Sequence, residues 1–390
     1  MRPILALIAS VVIMLCLGGV YAWSLFVPEL RAQYGYSSAQ LQFVFGALIA
    51  VFPLTMILAA KFQARFSTRA LVAVSSILFA LGYGLAAISQ GNYWLLLLGV
   101  GVLGGMATGC GYLAAITLPV LHYPKQKGLM TGVAAAGFGL AAVLLTFWAT
   151  PLLEVGLTVG GIFAIQAVVY GLLMAGAALL MHGPKVELEQ SASFRIFAKE
   201  AAFIRLFLGI FFGTFAGLLV IGNLKPMGEL QHLTNSILIL SVSIFAVANF
   251  AGRLSWGYCS DRLGAPLSIL LALALQSLAI FLLALVPLND ALFLVLACLI
   301  GFGFGGNFVL FAKETAQLYG VHNVAKVYPY VFLGYALAGI FGPLTGGLLY
   351  DWLGGFTQAA YIAALLSLFG ALTFVWEVLP KKQSNTEVRP

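Results

Sequence analysis

The sequence predicts an all-α membrane protein: twelve transmembrane helices in two pseudo-symmetric six-helix bundles. Three observations predict it. Of 390 residues, 62% are hydrophobic and 8% charged, with a mean hydropathy of +1.05. Soluble domains carry roughly a quarter charged residues. Apolar runs of about 20 residues recur along the whole length, each able to cross a bilayer as a helix and too continuous for a barrel strand. Finally, the first half of the chain repeats in the second at a shift of 197 residues.

The first expected span is 4–27. Its start, Met1-Arg2-Pro3 and an apolar run, resembles a signal peptide. The run continues to Val27 without a small-residue cleavage site, which predicts a retained helix. Spans 38–60, 69–89, 93–121, 128–151 and 157–181 follow. The plainly polar stretch 182–200 reads as a linker. Beyond it come 202–223, 234–257, 266–287, 290–312, 327–349 and 355–378. The expected organisation is a bundle over 1–181, a cytoplasmic linker over 182–200, a second bundle over 201–379 and a cytoplasmic tail over 380–390.

The repeat holds one register in separate places. Ala60 and Ala64-Arg65 fall on Gly257 and Asp261-Arg262, Gly109 falls on Gly306, and Gly137–Ala141 fall on Gly334–Ala338. Two parallel repeats are the layout of a transporter with its site between the halves. Basic residues set the orientation. Leaving out Arg253 and Lys313, at or within helix ends, fifteen Lys and Arg fall on the face of the termini and only Arg31 and Lys225 on the other. Both termini are therefore expected in the cytoplasm of a multi-pass protein of the cell inner membrane. The net charge of +7 follows from this loop distribution and gives no reason to expect nucleic acid as a partner.

Several functions are set aside. Cys16, Cys110, Cys259 and Cys298 lie in or beside apolar segments without paired or metal-ligand spacing. Gly99–Gly104 and Gly301–Gly306 match a dinucleotide fingerprint, but within apolar spans they read as small-residue stripes for helix packing. There is no Walker loop for ATP and no nucleophile–base set. No enzyme, cofactor or metal is expected.

The strongest local signal is Asn249–Gly264, which begins inside an apolar span and ends in a polar turn. Its Gly257-Tyr-Cys-Ser-Asp261-Arg262-Leu-Gly264 would allow close backbone approach at Gly257, while Asp261 could cap a helix or pair with a base. Gly257, Asp261 and Arg262 are the gating candidates, and a plain polar turn is the alternative. Twelve helices, a six-plus-six repeat and this loop resemble the major facilitator superfamily. Leu17–Phe26, with Tyr21, Trp23 and Ser24, and Tyr123–Gly132 are similar to the oxalate:formate antiporters and their bacterial monocarboxylate relatives, and Phe332–Pro343 fits the same group. The resemblance spans essentially the whole chain. The first-half copy of the loop has Ala64 where the family has Asp, which leaves that half's latch weakened or replaced.

The resemblance implies that Arg253 binds the substrate, since related transporters place their binding arginine just ahead of the loop. The chemistry suits the role: a guanidinium stays charged and pairs with a carboxylate in two-pronged fashion. The interiors of the spans hold no acidic counter-ion, and Glu314 and Glu377 fall near or past span ends. The alternative is an arginine that reaches to the cytosol from the membrane edge. Asn249 lies four residues earlier on the same face, where proton-coupled animal relatives carry Asp. An amide does not titrate. Where dicarboxylate antiporters add a lysine, this chain has Tyr335, so one fixed cation suggests a monovalent anion, or one carboxylate with hydroxyls. Tyr21, Gln42, Tyr112, Phe332 and Tyr335 match pocket positions of the family, and Asn307 is a further polar candidate. Helix packing is the alternative for each aromatic. Lys313 is either an interfacial lysine or a second substrate cation.

The expectation is a secondary active transporter of a small organic anion such as lactate, pyruvate, formate or oxalate, working by alternating access with a proton or counter-anion as coupling partner. The alternatives are an exporter or importer of a larger apolar compound, a drug or siderophore, and a non-transporting sensor. A sensor would need a signalling extension, and the tail Pro380–Pro390 is short.

Overall fold

The computed structural model describes residues 2–65, 67–123, 127–182, 199–320 and 324–378, with backbone alone at 2, 60–65, 120, 127–132 and 324–326. Most of the expected linker, the tail at 380–390, the side chains of Ala64 and Arg65 and most of the Tyr123–Gly132 motif lie outside the described residues.

Among the described residues, twelve helices are long and apolar enough to cross a membrane: α1 Pro3–Leu25, α2 Ser38–Ala59, α3 Thr68–Ala87, α4 Tyr93–Pro119, α5 Val133–Glu154, α6 Val159–Leu180, α7 Ala201–Glu229, α8 Asn235–Leu263, α9 Ala265–Leu285, α10 Asp290–Tyr319, α11 Val327–Leu353 and α12 Thr357–Val378. Residues 2 and 378 therefore lie on one face, here the terminal face, and the opposite face is distal. In α1 the coil tightens to a 3₁₀ helix over Gly18–Leu25, where Gly18 packs on the Phe138 backbone. Side chains of Ser67, Asn92, Thr158 and Asn289 accept the first free N–H groups of α3, α4, α6 and α10. Gly264, with φ +81°, ends α8 in a conformation that side chains disfavour.

The repeat is visible in the helix starts. Ser38, Thr68 and Tyr93 begin α2, α3 and α4, and Asn235, Ala265 and Asp290 begin α8, α9 and α10, each 197 residues later. Between helices α1–α6 and α7–α12 the longest seam joins α2 to α11. Gly46 packs against the Gly339 carbonyl, and a Cβ on Gly347 would stand 2.7 Å from the Ser38 carbonyl oxygen.

Three helices run six or seven residues past the ends the hydropathy predicts. α8 reaches Leu263, beyond the expected 257, so Gly257–Leu263, expected as a polar turn, is helix. α7 reaches Glu229, beyond the expected 223, and takes in Lys225; α10 reaches Tyr319, beyond 312, and takes in Lys313 and Glu314. The expectation that helix interiors hold no acid fails at Glu314, which is buried. The reason is length. A 30-residue helix spans about 45 Å, against a hydrocarbon core of about 30 Å, so its last turns can hold polar groups among neighbouring helices.

Candidate functional site

α8 carries Arg253 into the middle of the protein, where it is 9% exposed. Its Nε donates to Asn249 Oδ1 at 3.1 Å, one helical turn earlier. The guanidinium carbon lies 4.5 Å from the centre of the Phe308 ring on α10, over its face. The phenols of Tyr21, Tyr112, Tyr328 and Tyr335 surround the charge. The ion pairs among the described residues are Arg205–Glu377, Lys225–Glu29 and Lys313–Asp261, so Arg253 is without a carboxylate partner among them. A charge so placed is expensive in hydrocarbon. Aromatic faces, one amide and phenol hydroxyls offset part of that cost.

The two sets of helices meet around this cation. Tyr21 on α1 and Tyr335 on α11 share a hydrogen bond of 3.1 Å between hydroxyls, and both rings are fully buried. Phe332 stacks on Tyr335 at 4.9 Å between ring centres. Phe52 on α2 meets Tyr112 edge-on at 5.0 Å and Tyr335 at 6.4 Å. Phe138 on α5 closes the wall against Tyr21 at 5.5 Å and Tyr112 at 5.4 Å. Asn249 Nδ2 is buried with no hydrogen-bond partner, a free donor one turn from the guanidinium. Arg253, Asn249, Tyr21, Tyr112, Phe332 and Tyr335 thus form one cluster.

Two of the expected pocket residues lie apart. Gln42 is on the distal part of α2, and its Nε2 donates to the Gly222 carbonyl of α7 at 2.7 Å. Ten residues separate it from Phe52, about 15 Å along the helix. Asn307 faces the interior of the second set, with Nδ2 donating to the Phe304 carbonyl at 3.1 Å and Oδ1 against Gly213.

Among the gating candidates, Asp261 pairs with Lys313 of α10, and Lys313 Nζ also donates to Ser260 Oγ at 3.0 Å. Arg262 lies over the Tyr258 ring at 4.7 Å. Gly257 faces Val309, whose methyl would stand 3.4 Å from an added Cβ. In this conformation the last turns of α8 therefore bind α10 of their own set, and Lys313 stands toward the terminal end of α10 beside them.

The aromatic wall of Phe52, Phe138, Phe304, Phe308 and Tyr328 was not legible from residue type, because a Phe in an apolar span carries no polar signal. The repeat register holds the missing cue: Phe52 falls on Asn249, and Phe138 on Tyr335.

The chain matches the Major Facilitator Superfamily over residues 8–216 and again over 206–390. It is 31% identical over 349 residues to an uncharacterized MFS-type transporter, YhjX, of Escherichia coli, covering 86% of this chain and 85% of that protein. It is 25% identical to the oxalate:formate antiporter of Oxalobacter formigenes, over 96% of this chain and 91% of that one. Mouse monocarboxylate transporter 12 is similar at 20% identity over 94% of this chain and 83% of its own length. Among solved structures, a bacterial homologue of the human lysosomal transporter Spinster, inward-facing and unoccupied, superposes with a TM-score of 0.74 at 16% identity, over 96% of each chain. The chain belongs to the Major Facilitator Superfamily. It is a transporter rather than an enzyme.

Proposed function

We propose that the protein moves a small monocarboxylate-like anion across the cell inner membrane by alternating access. The observation that carries this reading is Arg253: a buried cation without a carboxylate partner among the described residues, ringed by phenols contributed by both sets of helices. The anion pairs with the guanidinium, and Asn249 Nδ2 donates to it from one turn away. The relatives named for oxalate, formate and monocarboxylates support the substrate class. A single fixed cation and close aromatic walls favour a small, singly charged anion. Because Asn249 does not titrate, exchange for a counter-anion is favoured over proton symport through this site. Helices α1–α6 and α7–α12 are the two moving bodies, joined at 182–200, and the excess of Lys and Arg on the terminal face supports a cytoplasmic location for both termini.

The test is uptake of labelled lactate, pyruvate, formate and oxalate into proteoliposomes, with and without internal counter-anion and with and without a pH gradient. Saturable uptake accelerated by internal anion is the expected result. Wild-type protein that moves none of the four would end the carboxylate reading and favour a larger apolar cargo.

A further inference from the structure

At the distal face, two of the seams between the sets of helices, α2 against α11 and α5 against α8, are related by the 197-residue repeat. They are in different states. In the α2–α11 seam the carboxylate of Asp351 caps the start of α2: Ser38 N–H donates to Oδ1 at 2.9 Å and Ala39 N–H to Oδ2 at 2.8 Å. Gln42 adds its bond to the Gly222 carbonyl, and Gly347 lets the backbones meet.

The repeat places Glu154 on Asp351, Asn235 on Ser38, Ile239 on Gln42, Leu25 on Gly222 and Thr150 on Gly347. All five residues line one open cavity of about 550 Å³ between α5 and α8. The first N–H groups of α8 receive no side-chain cap from Thr234. Glu154 makes no hydrogen bond to them among the described residues. The amide that ties the first seam is an isoleucine in the second, and the glycine that permits contact is a threonine. The α5–α8 seam has the carboxylate of a latch and an empty seat for it, held apart by a bulkier wall.

We infer that Glu154 is a second distal latch in its open position, and that it closes by capping the first turn of α8 as Asp351 caps α2. The physical basis is the same at both places: a carboxylate accepts the orphan N–H groups at the positive end of a helix. Closing the seam would collapse the cavity and complete the distal gate, which in this structure is fastened along α2–α11 and by the Lys225–Glu29 ion pair at the edge of the cavity.

The inference is independent of the anion and is tested without it. Ile239→Cys lies in the cavity, and its reaction with a membrane-impermeant maleimide reports how often the seam is open. Rates are measured on the full-length protein in proteoliposomes and corrected for the parent chain with its native cysteines. Glu154→Gln is expected to speed labelling about threefold or more, the scale on which a helix cap matters. Thr150→Gly restores the small residue that the closed seam has at Gly347 and is expected to slow labelling by a similar factor. Glu154→Gln added to Thr150→Gly should cancel the slowing. Equal rates in wild type and Glu154→Gln, or slowing by Thr150→Gly that survives loss of the carboxylate, would overturn the latch. If Glu154→Gln elutes as aggregate, the Thr150→Gly rate decides alone, with unchanged or faster labelling counting against the inference.

Discussion

Helices α2 and α8 occupy the same place in the repeat, yet they contribute opposite chemistry. At the centre α8 presents Asn249 and Arg253. The equivalent residues on α2 are Phe52 and Met56. One helix therefore brings the charge and the other an aromatic residue, Phe52, that packs on Tyr112 and Tyr335 of the cluster. At the distal face the order reverses: α2 is capped by Asp351 and tied by Gln42, while α8 begins uncapped beside an open cavity. The repeat supplies the scaffold of spans and seams, and departures from it supply both the buried charge and the open distal cavity. A symmetric protein would have either two buried cations or none, and under the proposed function either would be a poor way to hold one monovalent anion.

The sharpest way to break the comparison is to remove the charge. Arg253→Ala should lower anion uptake at least thirtyfold, since losing one partner of a buried, hydrogen-bonded charge pair costs about 2–5 kcal/mol. Arg253→Lys should recover only part of it, because an ammonium lacks the two-pronged geometry. Uptake per folded molecule, with size-exclusion profiles as control, checks both.

Next in size is Asn249→Asp, which gives the guanidinium an internal counter-ion. The new carboxylate should compete with substrate and weaken apparent affinity about tenfold at neutral pH, equivalent to about 1.4 kcal/mol. Here the sign with pH is fixed. The charged aspartate is the competitor, so protonating it as pH falls should restore affinity, and a pH series of KM would show it.

At the distal face, Asp351→Asn replaces a charged cap by a neutral one. A cap contributes about 0.5–2 kcal/mol, so accessibility at the α2–α11 seam should rise severalfold and thermal stability should drop. Maleimide labelling of Ala39→Cys measures the first. The smallest effect is expected at the hydroxyl pair. Tyr335→Phe removes one bond of about 0.5–1.5 kcal/mol that joins the two sets, and KM should change a fewfold with kcat moving less.

Much of the fold was legible from hydropathy, because a spanning helix must be continuously apolar. The spans failed where α7, α8 and α10 continue past the hydrocarbon core through Lys225, Asp261 and Glu314, where hydropathy averages carry no information on pairing. At the site, Arg253 stood out as a deep cation in an apolar run, and Tyr21 and Tyr335 fell on positions that a family pattern marks. Gln42 matched the same pattern yet sits at the distal face, ten residues along α2 from Phe52, where its amide meets the α7 backbone instead of the centre. Asn307 points into its own bundle for a similar reason, a rotation about α10 that residue type does not reveal. The Asp351 cap joins residues more than 300 positions apart, which no local pattern encodes.

The most direct test of the central claim is equilibrium binding. Isothermal titration of purified wild type and Arg253→Ala with whichever anion gives the fastest uptake separates binding from transport. Saturable binding by wild type and none by a folded Arg253→Ala is the predicted result. The same Kd in both proteins would mean that the anion is held elsewhere, and that the buried guanidinium serves another purpose.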